Sequence, residues 1–451
     1  TGFLVTHVLS PRTRIRGIFY QKEGLEQFEL MIDRSGNEDD IIANIQQCKS
    51  LIQSAEPISG LDGISSAEFQ YQTQDPTFFN TGLELLRDAL PYLYGTRPLL
   101  GEVRVHSEEI DNEHWSPGEV KEFEFLGSHV QERVIDVYQG SDEIAREVHC
   151  IRIAPSANST SSVIIVGERD GDGISLRVPP RGFPRIFREY PIRGTAFLPV
   201  NFIFDGKLDV DQERSRILLD DDSKPLLHQA LKSAAIAVQY VFEREWRSCE
   251  MLCRVEKVSP DNNIPEEYRS WWNNELAALA GDLATLPLVE TQVGFVPSIG
   301  SNDQIVADFL LARSMKASRS DETSQERIWL LASRVNGMHP PLLEVAKVWS
   351  QTSASWADLG VRISQVALED IADRVTAEAD EVDKLPVNGD RYAFLAEFFD
   401  VLGECWEARK GVKKTMLDGL VPDQNGHLSS PDQLKQDAGV SEELKDISKI
   451  I

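Results

Sequence analysis

The 451-residue chain is 41% hydrophobic and 26% charged, ordinary values for a globular protein of two or three domains, but its formal net charge is −27. A field of that sign repels nucleic-acid phosphates and anionic lipid, which argues against non-specific nucleic-acid binding and leaves room only for a local basic site. No apolar run approaches the ~20 residues that cross a bilayer, and five thinly spread cysteines argue for a reducing, cytoplasmic compartment over a disulfide framework.

In chain order, "TGFLVTHVLS" reads as a glycine turn at Gly2 running into an apolar helix over 3–10. Strands follow at 13–20 ("TRIRGIFY"), 26–34 ("EQFELMIDR") and 67–73 ("AEFQYQT"), the last with clean alternation. Leu83, Leu86 and Leu90 recur at helical spacing, and Gly95 is expected to end that helix. The stretch 101–225 is strand-rich, and "SSVIIVGERDGDGISLRVP" predicts a hairpin turning on residues 170–173, where Asp-Gly supplies positive φ. A long helix is expected over 225–255, its apolar stripe formed by Leu227, Ala230, Leu231, Ala234, Val238, Val241, Phe242 and Trp246. The remainder is mainly helical, with polar breaks near 261–263, 318–323 and 423–425. "LVETQVGFV" and "LVPDQNGHL" share a pattern that predicts two similar hairpins, the second turning on Asn425 and Gly426. Ser441 is placed to cap a last helix whose first turn carries Glu442 and Glu443.

Several clusters invite chemistry. Gly2 ahead of a helix could present amides to a phosphate, although a terminal glycine is more often a tail residue. "RVPPRGFPRIFREYPIRG" is a basic island of Arg177, Arg181, Arg185, Arg188 and Arg193; a phosphate grip is weighed against a surface whose arginines pair with the abundant carboxylates, and the second is favoured. "DVDQERSRILLD" sets Asp209, Asp211, Glu213 and Asp220 on a calcium-loop template, but Arg214 stands where the template needs glycine and Asp220 where it needs glutamate. Arg214 and Arg216 in that loop could face a partner anion or merely satisfy their acidic neighbours. Cys249 and Cys253 are half a zinc site without a partner nearby and read as core; His7 reads as a boundary or core residue. No nucleophile elbow, Walker loop or metalloprotease helix is present, and "ERDGDGIS" fails as a D-x-G-x-G nucleotide turn because Asp172 replaces the first glycine. The residues alone give a multi-domain protein without a complete active site and no assigned metal.

Four blocks, in order, carry a resemblance. "TGFLVTHVLS" resembles the end of the nucleotide lid in the gyrase, heat-shock chaperone, histidine kinase and MutL superfamily. "FPRIFREYPIRGTAFLPVNFIFDGKLDVDQERSRILL", "LPLVETQVGF" and "LDGLVPDQNGHLSSPDQLKQDAGVSEELKDI" are similar to the sacsin-type ATPase region, a relative of the ninety-kilodalton heat-shock chaperones. The resemblance implies an α+β chain: a remnant of a Bergerat-type nucleotide-domain sheet over 1–100, a strand-rich middle transducer domain over 101–255, and a mainly helical C-terminal domain over 256–451. It implies that the Gly2 and Phe3 amides face the γ-phosphate of ATP and that Arg214 is the arginine the middle domain sends to that phosphate, with Arg216 the fallback if the register is off by two. Ser66 lies near the position where relatives carry a threonine at the adenine end. The catalytic glutamate, the magnesium-binding asparagine and the adenine turn precede the lid in that family, so the resemblance further implies a longer parent protein, ATP and Mg held through its front, and no ATP hydrolysis by this piece alone.

The function expected from this is an ATP-dependent chaperone-like switch acting on a client or partner protein, with homodimerisation by family analogy. The rival is a nucleotide-gated regulatory or scaffold subunit of bacterial anti-phage defence; a third alternative is a degenerate module that only assembles.

Overall fold

The structure is a computed structural model, and it describes residues 11–21, 24–58, 67–71, 76–106, 112–140, 143–212, 215–260, 264–301, 304–310, 321–407 and 418–434. The chain divides into two compact units, residues 1–90 and 91–451. The helix expected over 3–10 and the cap at Ser441 lie outside the described residues.

In the first unit the expected strands form. β1 (Arg12–Gln21) pairs antiparallel with β2 (Gly24–Asp33) over its whole length; β3 (Glu56–Ile58) adds to β2, and β4 (Ala67–Tyr71) to β1, giving the order β3-β2-β1-β4. Thr13 and Ile15, two apart and therefore on one face, are buried together with Leu30, the cross-strand partner of Ile15. A helix not expected from the sequence, α1 (Glu38–Gln53), packs on β2. Asn37 and Asp40 close a reciprocal capping box at its start, and Asn44 both accepts from the Asp33 amide and donates to the Met31 carbonyl.

Helix α2 (Pro76–Thr96) crosses the division between the units. Gly95 does not end it: a Cβ there would stand 2.9 Å from Cys150 Sγ and 3.0 Å from Ile164 Cγ2, so the glycine admits close packing of helix on sheet.

The second unit is built on a ten-stranded sheet. Its strands are β5 (Val103–Val105), β6 (Glu113–Pro117), β7 (Lys121–Phe125), β8 (Ser128–Gln139), β9 (Ile144–Ala154), β10 (Ser161–Asp170), β11 (Gly173–Leu176), β12 (Ile186–Arg188), β13 (Tyr190–Pro191) and β14 (Ile203–Gly206). The main path runs β13-β12-β14-β10-β9-β8-β6-β5, with β11 on the end of β10 and β7 on β8; only β12 and β14 pair in parallel. Seven consecutive residues of β10 are buried, the mark of a strand covered on both faces. The register sets Ile151 opposite Ile165 and Ile153 opposite Val163, and this face packs against α3 (Ser223–Glu243). Cys150 and Ile164, on the opposite face, meet residues 91–96. The β10–β11 hairpin forms where expected, but Gly171 alone supplies the positive φ, at +63°.

The long helix expected over 225–255 stops at Glu243. Glu245 and Ser248 then take left-handed conformations (φ 54° and 58°), and a 3-10 turn follows over Cys249–Cys253. Trp246 is therefore not part of the helical stripe; it lies over Gly167 of β10, where a Cβ would come within 2.6 Å of its ring. Both cysteines are buried and free.

Beyond this, α4 (Glu266–Ala284), the hairpin β15 (Val289–Thr291) and β16 (Gly294–Val296), β17 (Phe309–Leu310) and α6 (Leu343–Asp358) extend the same core. Trp356 of α6 donates its indole N–H to the Cys253 carbonyl at 2.9 Å. A separate core joins α5 (Asp321–Arg334), α7 (Leu368–Thr376) and α8 (Arg391–Glu407), with Arg327 forked between Glu397 and Glu404. The parallel pair of β17 with β18 (Gln365–Val366) joins the two regions in sequence. The second expected hairpin is β19 (Val421–Pro422) with β20 (Leu428–Ser429), with Gly426 at φ 83°. The expected α+β class is thus what the chain adopts, and no described helix is long and apolar enough to cross a membrane.

One carboxylate in the sheet is set against its surroundings. Asp205 of β14 accepts from the Glu189 amide, and burial pushes its pKa up to about 6. A folded pKa above the unfolded value of 3.8 means that the fold favours the protonated acid, so stability falls as pH rises from about 4 through about 6. Asp205→Asn, which keeps the acceptor oxygen, should raise stability by on the order of 1–3 kcal/mol at pH 8 and by almost nothing at pH 3.5; urea unfolding at both pH values checks this, and equal effects would count against it.

Candidate functional site

The best-built polar feature of the second unit is the stretch between β14 and α3. The Asp211 amide donates to the Arg216 carbonyl at 3.0 Å and the Leu218 amide to the Asp209 carbonyl at 2.8 Å, with Val210 bridged to Ile217. These bonds pair residues 209–211 with residues 216–218 as the two legs of a small hairpin. The Asp211 carboxylate accepts from the Ser215 hydroxyl and amide, both at 2.7 Å, and from the Arg216 amide at 3.2 Å. Those bonds, the Ser215 hydroxyl first, hold its pKa below the usual carboxylate range.

The hairpin is tied at both ends. Ser223, in the first turn of α3, accepts from the Asp209 amide at 3.1 Å and donates its own amide to Asp220 at 2.8 Å. Asp220 is held low by that bond. On the other side, the turn Arg193–Thr195 meets the hairpin backbone directly: the Gly194 amide donates to the Ser215 carbonyl at 2.8 Å. A Cβ on Gly194 would fall 2.2 Å from that oxygen, so the contact admits only glycine.

Behind the turn, the buried Thr195 hydroxyl donates to the Ile192 carbonyl at 2.7 Å and accepts from the Arg185 and Ile186 amides. Arg185 is itself buried, and its guanidinium is caged by the carbonyls of Pro179, Pro180, Phe183 and Val200. Desolvation lowers its pKa, and no described carboxylate joins the cage. This corrects the expectation of a surface island neutralised by acids. Arg177 does pair with Glu168, but Arg185 is a framework residue, and Arg181, Arg188 and Arg193 form no ion pair with another described residue.

Between the hairpin and α4 lies a cavity of about 340 Å³ lined by Gly194, Thr195, Phe197, Asp211, Arg216, Ile217, Leu218, Leu219, Ile264, Pro265, Tyr268 and Trp272. Arg216 is exposed at its edge, and its guanidinium forms no hydrogen bond or ion pair with another described residue.

Gly2, Phe3, Ser66 and Arg214 all lie outside the described residues, as does Glu213 of the calcium template. Asp211 and Asp220 spend their oxygens on the turn and on the start of α3, and among the described residues no three His, Cys, Asp or Glu converge as a metal site. Sequence reasoning missed Gly194, Thr195, Ser215 and Tyr268. The I-R-G-T run and the Asp-x-x-x-Ser spacing were visible, but neither shows by itself that two distant turns share one backbone bond.

No family model, curated protein or solved structure matches this chain.

Gly194→Ala should push the hairpin off its support. The Ser215 and Arg216 amides should then exchange with solvent faster, and global stability should drop by about 1–3 kcal/mol. Hydrogen-exchange mass spectrometry reads both, and unchanged protection in residues 209–218 would refute the clamp.

Proposed function

We propose that the chain is part of an ATP-driven conformational switch of chaperone type, in which the hairpin before α3 presents Arg214 to the γ-phosphate and passes the nucleotide state to the middle domain. In this proposal the first unit's sheet is the remnant of a Bergerat-type nucleotide domain, Gly2 and Phe3 belong to its lid, Ser66 stands at the adenine end, and a client or partner protein is rearranged. ATP, with Mg as its counter-ion, would supply the anion that the arginine reads.

The observation that carries the proposal is the double anchoring of the arginine-bearing hairpin, by Gly194 at its side and Ser223 at its base. A cation that must meet a phosphate is effective when its support is fixed beforehand, because little reorganisation is then left for the moment of contact. The setting agrees: Arg193 and Arg216 beside the clamp are exposed and without a described ion-pair partner, in a chain whose net charge is −27. Coupling onward is short, since Ser223 belongs both to the hairpin's anchorage and to the helix that covers β9 and β10.

The test is phosphate release by the full gene product. Arg214→Ala should lower ATP turnover at least ~100-fold while leaving thermal unfolding unchanged, and Arg216→Ala should retain turnover. Turnover in Arg214→Ala equal to the parent's would overturn the assignment.

A further inference from the structure

We infer that the cavity between the hairpin and α4 is a binding site for a small amphiphilic anion: a flat aromatic body carrying one carboxylate, sulfonate or phosphate. The inference is independent of the nucleotide proposal. Its walls are mainly apolar, with three aromatic side chains among them. Phe197 and Trp272 meet edge to face with centroids 6.3 Å apart, and Tyr268, Ile264, Ile217 and Leu219 complete the lining. A volume of about 340 Å³ is at the lower end of small-molecule sites, which run from roughly 300 to 1,000 Å³. Aromatic walls favour a planar guest, which can stack or meet them edge-on.

The polar edge sets the sign of charge. Arg216 is exposed there with its guanidinium in no hydrogen bond or ion pair with another described residue; the carboxylate of Asp211 feels its charge but spends its oxygens on three bonds from the hairpin's own N–H and O–H groups. A guanidinium with open N–H groups at the edge of an apolar chamber suits a ligand with a single acidic group, which it can hold with two parallel bonds. A triphosphate would leave most of its charge unmatched against these walls. Because Ile217 and Leu219 form the outgoing leg of the hairpin while Ile264 and Tyr268 precede or belong to α4, an occupant would bridge the two and fix their spacing.

The probe is anilinonaphthalene sulfonate, titrated into the folded chain without nucleotide and followed by its fluorescence. The expected result is a saturable one-site component, weakened at least ~10-fold by Arg216→Gln and abolished by Ile264→Trp, which fills the chamber from its loop side. Phenylnaphthylamine, the same body without the acid, should bind more weakly and should not respond to Arg216→Gln. Thermal unfolding of each variant verifies the fold, and Arg188→Gln should bind as the parent does. A saturable component that persists unchanged in both Arg216→Gln and Ile264→Trp would overturn the inference, as would no saturable component in the parent. Since no nucleotide is present, these outcomes are read separately from the ATP response of Arg214→Ala.

Discussion

The hydrogen bond from the Gly194 amide to the Ser215 carbonyl is the contact on which the organisation of the second unit's candidate site depends. Two backbones from distant parts of the chain approach so closely that a single methyl would collide with the oxygen at 2.2 Å. Without that approach, residues 209–211 and 216–218 would belong to a surface connection between a strand and a helix. With it, the two legs of the hairpin are joined to the turn Arg193–Thr195.

The clamp in turn depends on a buried cation. A guanidinium taken out of water is costly unless its donors are satisfied, and Arg185 achieves this with four backbone carbonyls and no acid. The cage ties residues 179–183 to Val200, and β12 is carried between them. Thr195 then joins β12 to the turn through the Arg185 and Ile186 amides. Each step fixes the backbone used by the next: cage, strand, turn, hairpin. Substituting Arg185 would therefore be felt at Ser215, although the two side chains do not touch in any bond described here.

Much of this fold was legible in the sequence where periodicity is strong. Strand-rich runs were legible in both units, with clean alternation only at 67–73, and the apolar stripe of α3 located the helix that covers the larger sheet. The asparagine–glycine and glycine turns fixed the two late hairpins. Legibility failed where tertiary contact decided the outcome. Trp246 continues the helical spacing, yet it lies past the helix end because Gly167 leaves room for its ring on the sheet. Gly95 resembles a helix stop but serves close packing. The polar first half of α1 hid a helix whose anchorage is a side-chain bond to a neighbouring strand. The arginine island was the hardest case, because one strongly polar run contains both a core residue and exposed cations, and only burial separates them. Asp211 attracted notice as a calcium ligand, whereas its geometry makes it the staple of the hairpin.

The distribution of charge gives a further reason to regard this face as functional. The chain carries 73 acidic residues against 46 basic ones, so an exposed arginine has many acids with which to pair. Surface pairs contribute only about 0–1 kcal/mol, so stability does not decide whether one forms. What matters is the local potential: a carboxylate beside an anion site would cancel the attraction that the site needs. Around Arg216 the guanidinium and its neighbouring carboxylate feel each other's charge without forming an ion pair. The nearest acid named in the hairpin, Asp211, is ionised but accepts three bonds from the hairpin's own amides and hydroxyl. The same carboxylate thus shapes the turn and leaves the guanidinium beside it without an ion pair. A hairpin built this way leaves the guanidinium's N–H groups open to an incoming acceptor, while the neighbouring carboxylate still offsets part of its field.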